Sequence, residues 1–252
     1  TLLKLNKDDF VVDIGANDGT LLRGYNNKKI KTVGFEPARN LIELNQKKTY
    51  KIINDFFSFD LWNKNFPNKK SKVITAIGMF YDLDEPNDFV QDLFKCLADD
   101  GLLVIQMMYL PFFLERNAID GICHEHLEYY SLSSLEYLLN KHGFNVVGLD
   151  IRENVNEGSA RFFITKKGNN NIIIPESLKK ILNLYKNKEK SLNITNKETY
   201  QNFFSRVEEL KNKAMDFLNN EIKNGKTIHG YAASTKGNTI LQYYNIDATL
   251  IS

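Results

Sequence analysis

Apolar runs of strand length recur along the first two thirds of the chain, and helical spacing separates them. Residues 10–14, Phe-Val-Val-Asp-Ile, form a run broken by one acid, which suits a buried strand of a parallel sheet. Further strands are expected at 31–36, 50–57, 71–80 and 102–107. Pro37 starts a helix over 38–47, and Pro86 sits in the first turn of a helix reaching about residue 97. Asp99-Asp100-Gly101 reads as the turn into the fifth strand. Ser133-Ser134-Leu135-Glu136 opens an amphipathic helix with serine capping, and His142-Gly143 ends it. Runs at 144–151 and 160–165 read as two last strands pairing antiparallel, with Asn156-Glu157-Gly158-Ser159 between them.

This alternation predicts an α/β protein with a doubly wound sheet over residues 1–168. The texture changes at the polar stretch Gly168-Asn169-Asn170-Asn171. Residues 177–191 and 198–224 are rich in Lys and Glu, with Leu178, Ile181, Leu182 and Leu184 at helical spacing, so 169–226 reads as a helical region. Residues 227–233 read as a strand, followed by the small-residue turn Ser234-Thr235-Lys236-Gly237-Asn238-Thr239 and a helix from Ile240. Such a loop can present N–H groups and Lys236 to a phosphate, although a plain connecting turn explains it equally. A single unit of this kind cannot build a sheet, so 227–252 is expected to be the beginning of a truncated second α/β domain.

Composition narrows the function classes. The chain has 252 residues, 33 Lys and Arg against 31 Asp and Glu, and a net charge of +2. No basic face with interleaved aromatics stands out, so a nucleic-acid partner is not expected. No apolar run is long enough to span a membrane. Two cysteines, Cys96 and Cys123, are too few for a disulfide framework, and the reading is cytoplasmic.

The chemistry begins at Asp13-Ile14-Gly15-Ala16-Asn17-Asp18-Gly19. A strand, a glycine turn and a helix opening at Thr20 make a nucleotide-type cradle. Only Gly15 matches the dinucleotide pattern G-x-G-x-x-G, with Asn17 at its second glycine. Asp13 at the strand end favours a ligand with a cationic or zwitterionic head. Glu36 follows the turn by about twenty residues, where a carboxylate accepts from both ribose hydroxyls; a surface glutamate is the plainer alternative. Gly78-Met79-Phe80-Tyr81-Asp82-Leu83 lies at the carboxyl end of the fourth strand, where ligands of such sheets bind.

Cys123-His124-Glu125-His126-Leu127-Glu128-Tyr129-Tyr130-Ser131 holds two of the four histidines and follows the fifth strand. The spacing is not that of a zinc finger and no second cluster completes four ligands, so no metal is assigned. A histidine has a pKa near working pH and serves as a general base, with Glu125 able to orient and polarise it. One of the two is expected to be a core hydrogen-bonder, and His124 is assigned that part. Cys123 as a nucleophile needs a thiolate with an oriented base.

The pattern D-x-G-x-x-x-G over Asp13, Gly15 and Gly19 resembles the first motif of class I S-adenosylmethionine (SAM) methyltransferases. An ordinary strand-to-helix turn is the alternative. The resemblance implies a Rossmann-like sheet, SAM as cofactor and S-adenosylhomocysteine as product. It implies cofactor binding by Asp13, Gly15, Asn17, Gly19, Glu36 and Met79, with Asp55 at the adenine amino group and Phe56 beside the ring. His124-Glu125-His126 through Leu132, Asn156-Glu157-Gly158-Ser159-x-Arg161, and 231–239 together resemble the sugar C-methyltransferase family, which methylates a carbon of nucleotide-linked keto sugars. That family carries an N-terminal zinc-binding domain, a central SAM domain and a C-terminal Rossmann-like domain; this chain is read as the second plus the start of the third. The resemblance implies His126 as the base with Glu125 beside it, and Tyr130, Tyr129 or a backbone N–H at the enolate oxygen. Cys123 stands where many relatives carry tyrosine, and Met79-Phe80-Tyr81-Asp82 replaces an Asn/His-containing version. An O- or N-methyltransferase on a small molecule and a catalytically silent binding domain stay open, as does a homo-oligomer.

Overall fold

The computed structural model describes residues 2–25, 29–46, 49–155, 158–231 and 234–251. Seven strands form one sheet: β1 (Phe10–Ile14), β2 (Lys31–Phe35), β3 (Lys51–Ile53), β4 (Ser71–Ile77), β5 (Leu97–Met108), β6 (Phe144–Arg152) and β7 (Ser159–Lys166). Their order is β3-β2-β1-β4-β5-β7-β6. The first five run parallel, and β7 joins β5 and β6 antiparallel, as the two terminal apolar runs predicted. The order reverses between β1 and β4, which is where a doubly wound sheet opens a crevice at its carboxyl edge.

The helices are α1 (Thr20–Arg23), α2 (Arg39–Gln46), α3 (Phe59–Asn65), α4 (Pro86–Cys96), α5 (Leu110–Glu115), α6 (Leu132–Lys141), α7 (Glu176–Leu192), α8 (Lys197–Lys223) and α9 (Thr235–Tyr244). None among the described residues is long and apolar enough to cross a membrane. Every residue of β1 is buried, which is why its limits were legible as an apolar run. The main core fills the space between sheet and helices with Phe35, Trp62, Phe80, Phe144 and Phe162, all under 2% exposed.

Several sequence expectations are corrected. β4 stops at Ile77, because Gly78 turns to φ +67°. β5 begins at Leu97 instead of 102, and Asp99-Asp100-Gly101 lies inside it at a register shift against β4. The two acids that read as turn residues are satisfied by lysines across the sheet, Lys166 for Asp99 and Lys72 for Asp100. α3 was not expected; Ser58 caps it by accepting from Leu61 N–H at 3.3 Å, and Trp62 is its buried anchor. Residues 227–231 form no strand; Ala232 and Ala233, the end of that expected strand, lie outside the described residues, as do Asn156 and Glu157.

Candidate active site

The carboxyl ends of β1, β2 and β4 and the loop after β3 surround a cavity of about 300 Å³. Gly15, Glu36, Asp55, Phe56 and Met79 line it, with Asp82, Pro37, Leu83 and three further aromatics. Gly15 is at φ +70°, a left-handed turn that favours glycine. A side chain there would also meet Met79 Cγ at 3.4 Å, so the bare backbone keeps the cavity floor open. Gly19 is at φ +76° at the start of α1, and Asn17 between them is also left-handed. These residues shape the turn rather than line the cavity.

Glu36 is 6% exposed, and its carboxylate is fixed on both oxygens. Asn17 N–H donates to Oε2 and Ala38 N–H to Oε1, both at 2.8 Å. Each oxygen keeps a further lone pair for a ligand hydroxyl. Asn54 donates to the carbonyls of Glu36 and Pro37, which ties the β3 loop to the β2 end. Beyond it Phe56 is 74% exposed at the cavity rim, beside Asp55. Asp13 is 4% exposed and accepts from Thr75 Oγ1 at 2.6 Å. Burial pushes its pKa up to about 7, against the Thr75 hydrogen bond, and the nearby Glu36 charge adds to the rise. A cation beside it would relieve that cost.

A 3-10 turn at Phe80–Asp82 links this cavity to the histidine segment. The Tyr81 carbonyl accepts from Leu127 N–H and Glu128 N–H, each at 3.0 Å. The Tyr81 ring meets His126 edge-on, centroids 4.7 Å apart. The next residue, Asp82, lines the cavity and senses the charge of both His126 and Glu125. Burial raises the Asp82 pKa to about 6, and His126 pulls it back. Asp82 carried no role from sequence, because nothing local to it reveals that residue 126 folds back beside it.

His126 Nδ1 lies 2.8 Å from the Gly121 carbonyl. A carbonyl only accepts, so Nδ1 carries a proton, and the lone pair of the neutral ring is then on Nε2. Gly121, rather than Glu125, thus orients the ring; Glu125 Oε1 is 3.6 Å from His124 Nε2. His124 is not a core hydrogen-bonder either, since its side chain is 85% exposed. Tyr129 O–H donates to the same Gly121 carbonyl at 3.2 Å. Tyr130 is buried against Phe80, ring centroids 5.3 Å apart, and burial raises its pKa so that the phenol keeps its proton. Burial and Glu125 also push the Cys123 thiol up, away from the thiolate a nucleophile requires. In the motif that ends at Arg161, Gly158 packs over Phe112, and Arg161 Nε donates to Gln106 at 2.8 Å.

Comparison with known proteins agrees with this layout. Residues 1–149 match the family described as methyltransferase domain, and residues 154–252 match the family described as C-methyltransferase C-terminal domain. The C-methyltransferase NovU of Streptomyces niveus is 27% identical over 238 residues, 94% of this chain; the chain spans 55% of that relative's length. Among solved structures, the cyclopropane synthase MmaA2 of Mycobacterium tuberculosis superposes with a TM-score of 0.52 at 14% identity, covering 65% of this chain and 80% of that one. A Haloferax volcanii complex of the Trm112 methyltransferase activator with a methyltransferase gives 0.52 at 13% identity, covering 65% and 84%.

Proposed function

This chain belongs to the methyltransferase-domain family, and from that premise we propose that it carries out SAM-dependent C-methylation next to a keto group of a nucleotide-linked sugar, with His126 as general base. The observation that carries the reading is the 3-10 turn Phe80–Asp82, which lines the cavity through Asp82 and holds His126 through Tyr81. NovU, the relative that aligns along almost the whole chain, is itself described as a C-methyltransferase.

The cavity suits the cofactor's chemistry. Glu36 offers two fixed carboxylate oxygens to a ribose and Phe56 an exposed face to an adenine with Asp55 beside it, while Asp13, buried in β1 behind the lining, contributes its charge to a cationic head rather than a contact. When bound, SAM supplies an electrophilic methyl on a sulfonium. His126 takes the proton from the carbon beside the ketone at Nε2, while Gly121 holds Nδ1–H in place. Asp82, on the same 3-10 turn as the Tyr81 ring that meets His126, places a carboxyl at the cavity edge beside the base. Tyr130 keeps its proton and is the donor assigned to the enolate oxygen. The remaining contribution is positioning.

His126→Asn is expected to leave SAM affinity nearly intact by calorimetry and to lower turnover by roughly 10²–10⁴-fold, the range for losing a general base. Wild-type turnover in that variant, with its keto-sugar substrate, would remove His126 from the mechanism.

A further inference from the structure

We propose that Glu189, on α7, is a positioning residue that fixes both ends of the segment carrying His126. The proposal rests on the reading of His126 as the base. Residues 110–131 leave the sheet after Tyr109 and rejoin the fold at α6, and Leu110 N–H donates to the Tyr130 carbonyl at 2.9 Å, closing the base of this loop. The Glu189 carboxylate, 4% exposed, lies at the closure. Tyr109 O–H donates to Oε1 at 2.6 Å, Leu132 N–H donates to the same oxygen, and Ser133 N–H donates to Oε2 at 3.0 Å. One side chain therefore grips the residue just before the loop and the two just after Ser131.

The local sequence leaves a gap that Glu189 fills. Ser131 caps α6 by accepting from Ser134 N–H, which leaves the N–H groups of Leu132 and Ser133 without a helical partner. Glu189 takes both, with the helix dipole favouring its charge. The C-terminal helices also pack on the middle of the loop, where Phe113, Leu114 and Ile119 share a buried apolar cluster with Ile194, Phe203 and Val207; the other polar contacts are of weaker kinds. Lys188 pairs with Glu115 at 2.7 Å, Arg206 donates to the Leu114 carbonyl at 2.7 Å, and Thr239 reaches the Ile122 carbonyl at 3.4 Å. These are partly exposed and individually small. Glu189 is buried, and its two oxygens serve three donors, so replacing one oxygen by an amide NH2 leaves at least one of them without an acceptor. The first helix of the C-terminal region thus fixes the two ends of the segment that holds the base.

The test uses Glu189→Gln in the full protein, with Tyr109→Phe as a second variant that removes one donor and keeps the ring against Phe112 and Tyr185. Turnover, SAM affinity and hydrogen exchange of residues 119–131 are measured together. The expected result for Glu189→Gln is turnover down by about 10²-fold, SAM affinity within about two-fold, and faster exchange confined to 119–131. Tyr109→Phe should show a smaller loss of the same kind, and it decides the matter if Glu189→Gln does not fold. Unchanged turnover overturns the proposal, as does a parallel loss of SAM affinity and of protection in β1–β4, which is a general structural defect. The exchange readout needs no substrate. Loosening of 119–131 alongside a fully active His126→Asn enzyme would therefore indict the base assignment and leave the clamp standing.

Discussion

Asp13→Asn isolates the cost of ionising a buried carboxyl in β1, two residues before the glycine turn. Asp13 has a folded pKa of about 7 against an ordinary value of 3.8. An acid with a raised folded pKa favours the fold while protonated, so its contribution falls as pH rises between those two values. Across the whole window the difference is about 3 pK units, or about 4 kcal/mol. Between about pH 5 and about pH 8, integrating the linkage relation gives a loss of about 2–3 kcal/mol. Asparagine has no proton to lose, so the variant lacks this component. Whatever the amide loses at the Thr75 hydroxyl is constant with pH and cancels between the two conditions. Urea unfolding of the ligand-free protein at both pH values measures it. Wild type should lose about 2–3 kcal/mol relative to Asp13→Asn on going to the higher pH. A gap between the two proteins that stays constant within about 0.5 kcal/mol would mean that Asp13 ionises normally, and the burial argument would fail.

Glu36→Ala removes the acceptor assigned to the ribose, and SAM affinity measured by calorimetry should fall by about 1–3 kcal/mol; unchanged affinity would place the cofactor elsewhere. Cys123→Ser should keep turnover within a few-fold of wild type, since burial and Glu125 hold the thiol protonated, and a collapse of turnover would restore the nucleophile reading.

The sheet was legible where burial and sequence pattern coincide. β1 is buried throughout, and its limits follow from five residues. Boundaries failed where long-range pairing overrides local chemistry. Asp99 and Asp100 carry turn chemistry, but β5 pairs with β4 on both sides of them, at Leu97 and Leu102, and their carboxylates find Lys166 and Lys72. The apolar run from Thr227 has strand composition, yet no neighbouring strand pairs with residues 227–231. Around the cavity, Gly15 and Glu36 were legible because a strand-turn-helix unit places strand-end residues at one edge, and Asp55, Phe56 and Met79, expected from the resemblance to methyltransferases, line the same cavity. The surroundings of His126 were not. Asp82 approaches it from a turn more than forty residues earlier in the chain, and the orienting Gly121 acts through its carbonyl, which no side-chain pattern reveals. Glu189 reaches Tyr109 across 80 residues, and in sequence it is one acid among many on a Lys/Glu-rich helix.

The most direct test of the central claim is mass spectrometry of product made by the full protein from SAM and a nucleotide-linked keto sugar. The substrate carries deuterium on the carbon beside the ketone. Abstraction by His126 followed by methylation at carbon predicts a product that has lost one deuterium from that carbon and carries the new methyl there, while recovered substrate keeps its label. A product that holds all its deuterium and bears the methyl on oxygen or nitrogen would contradict the account.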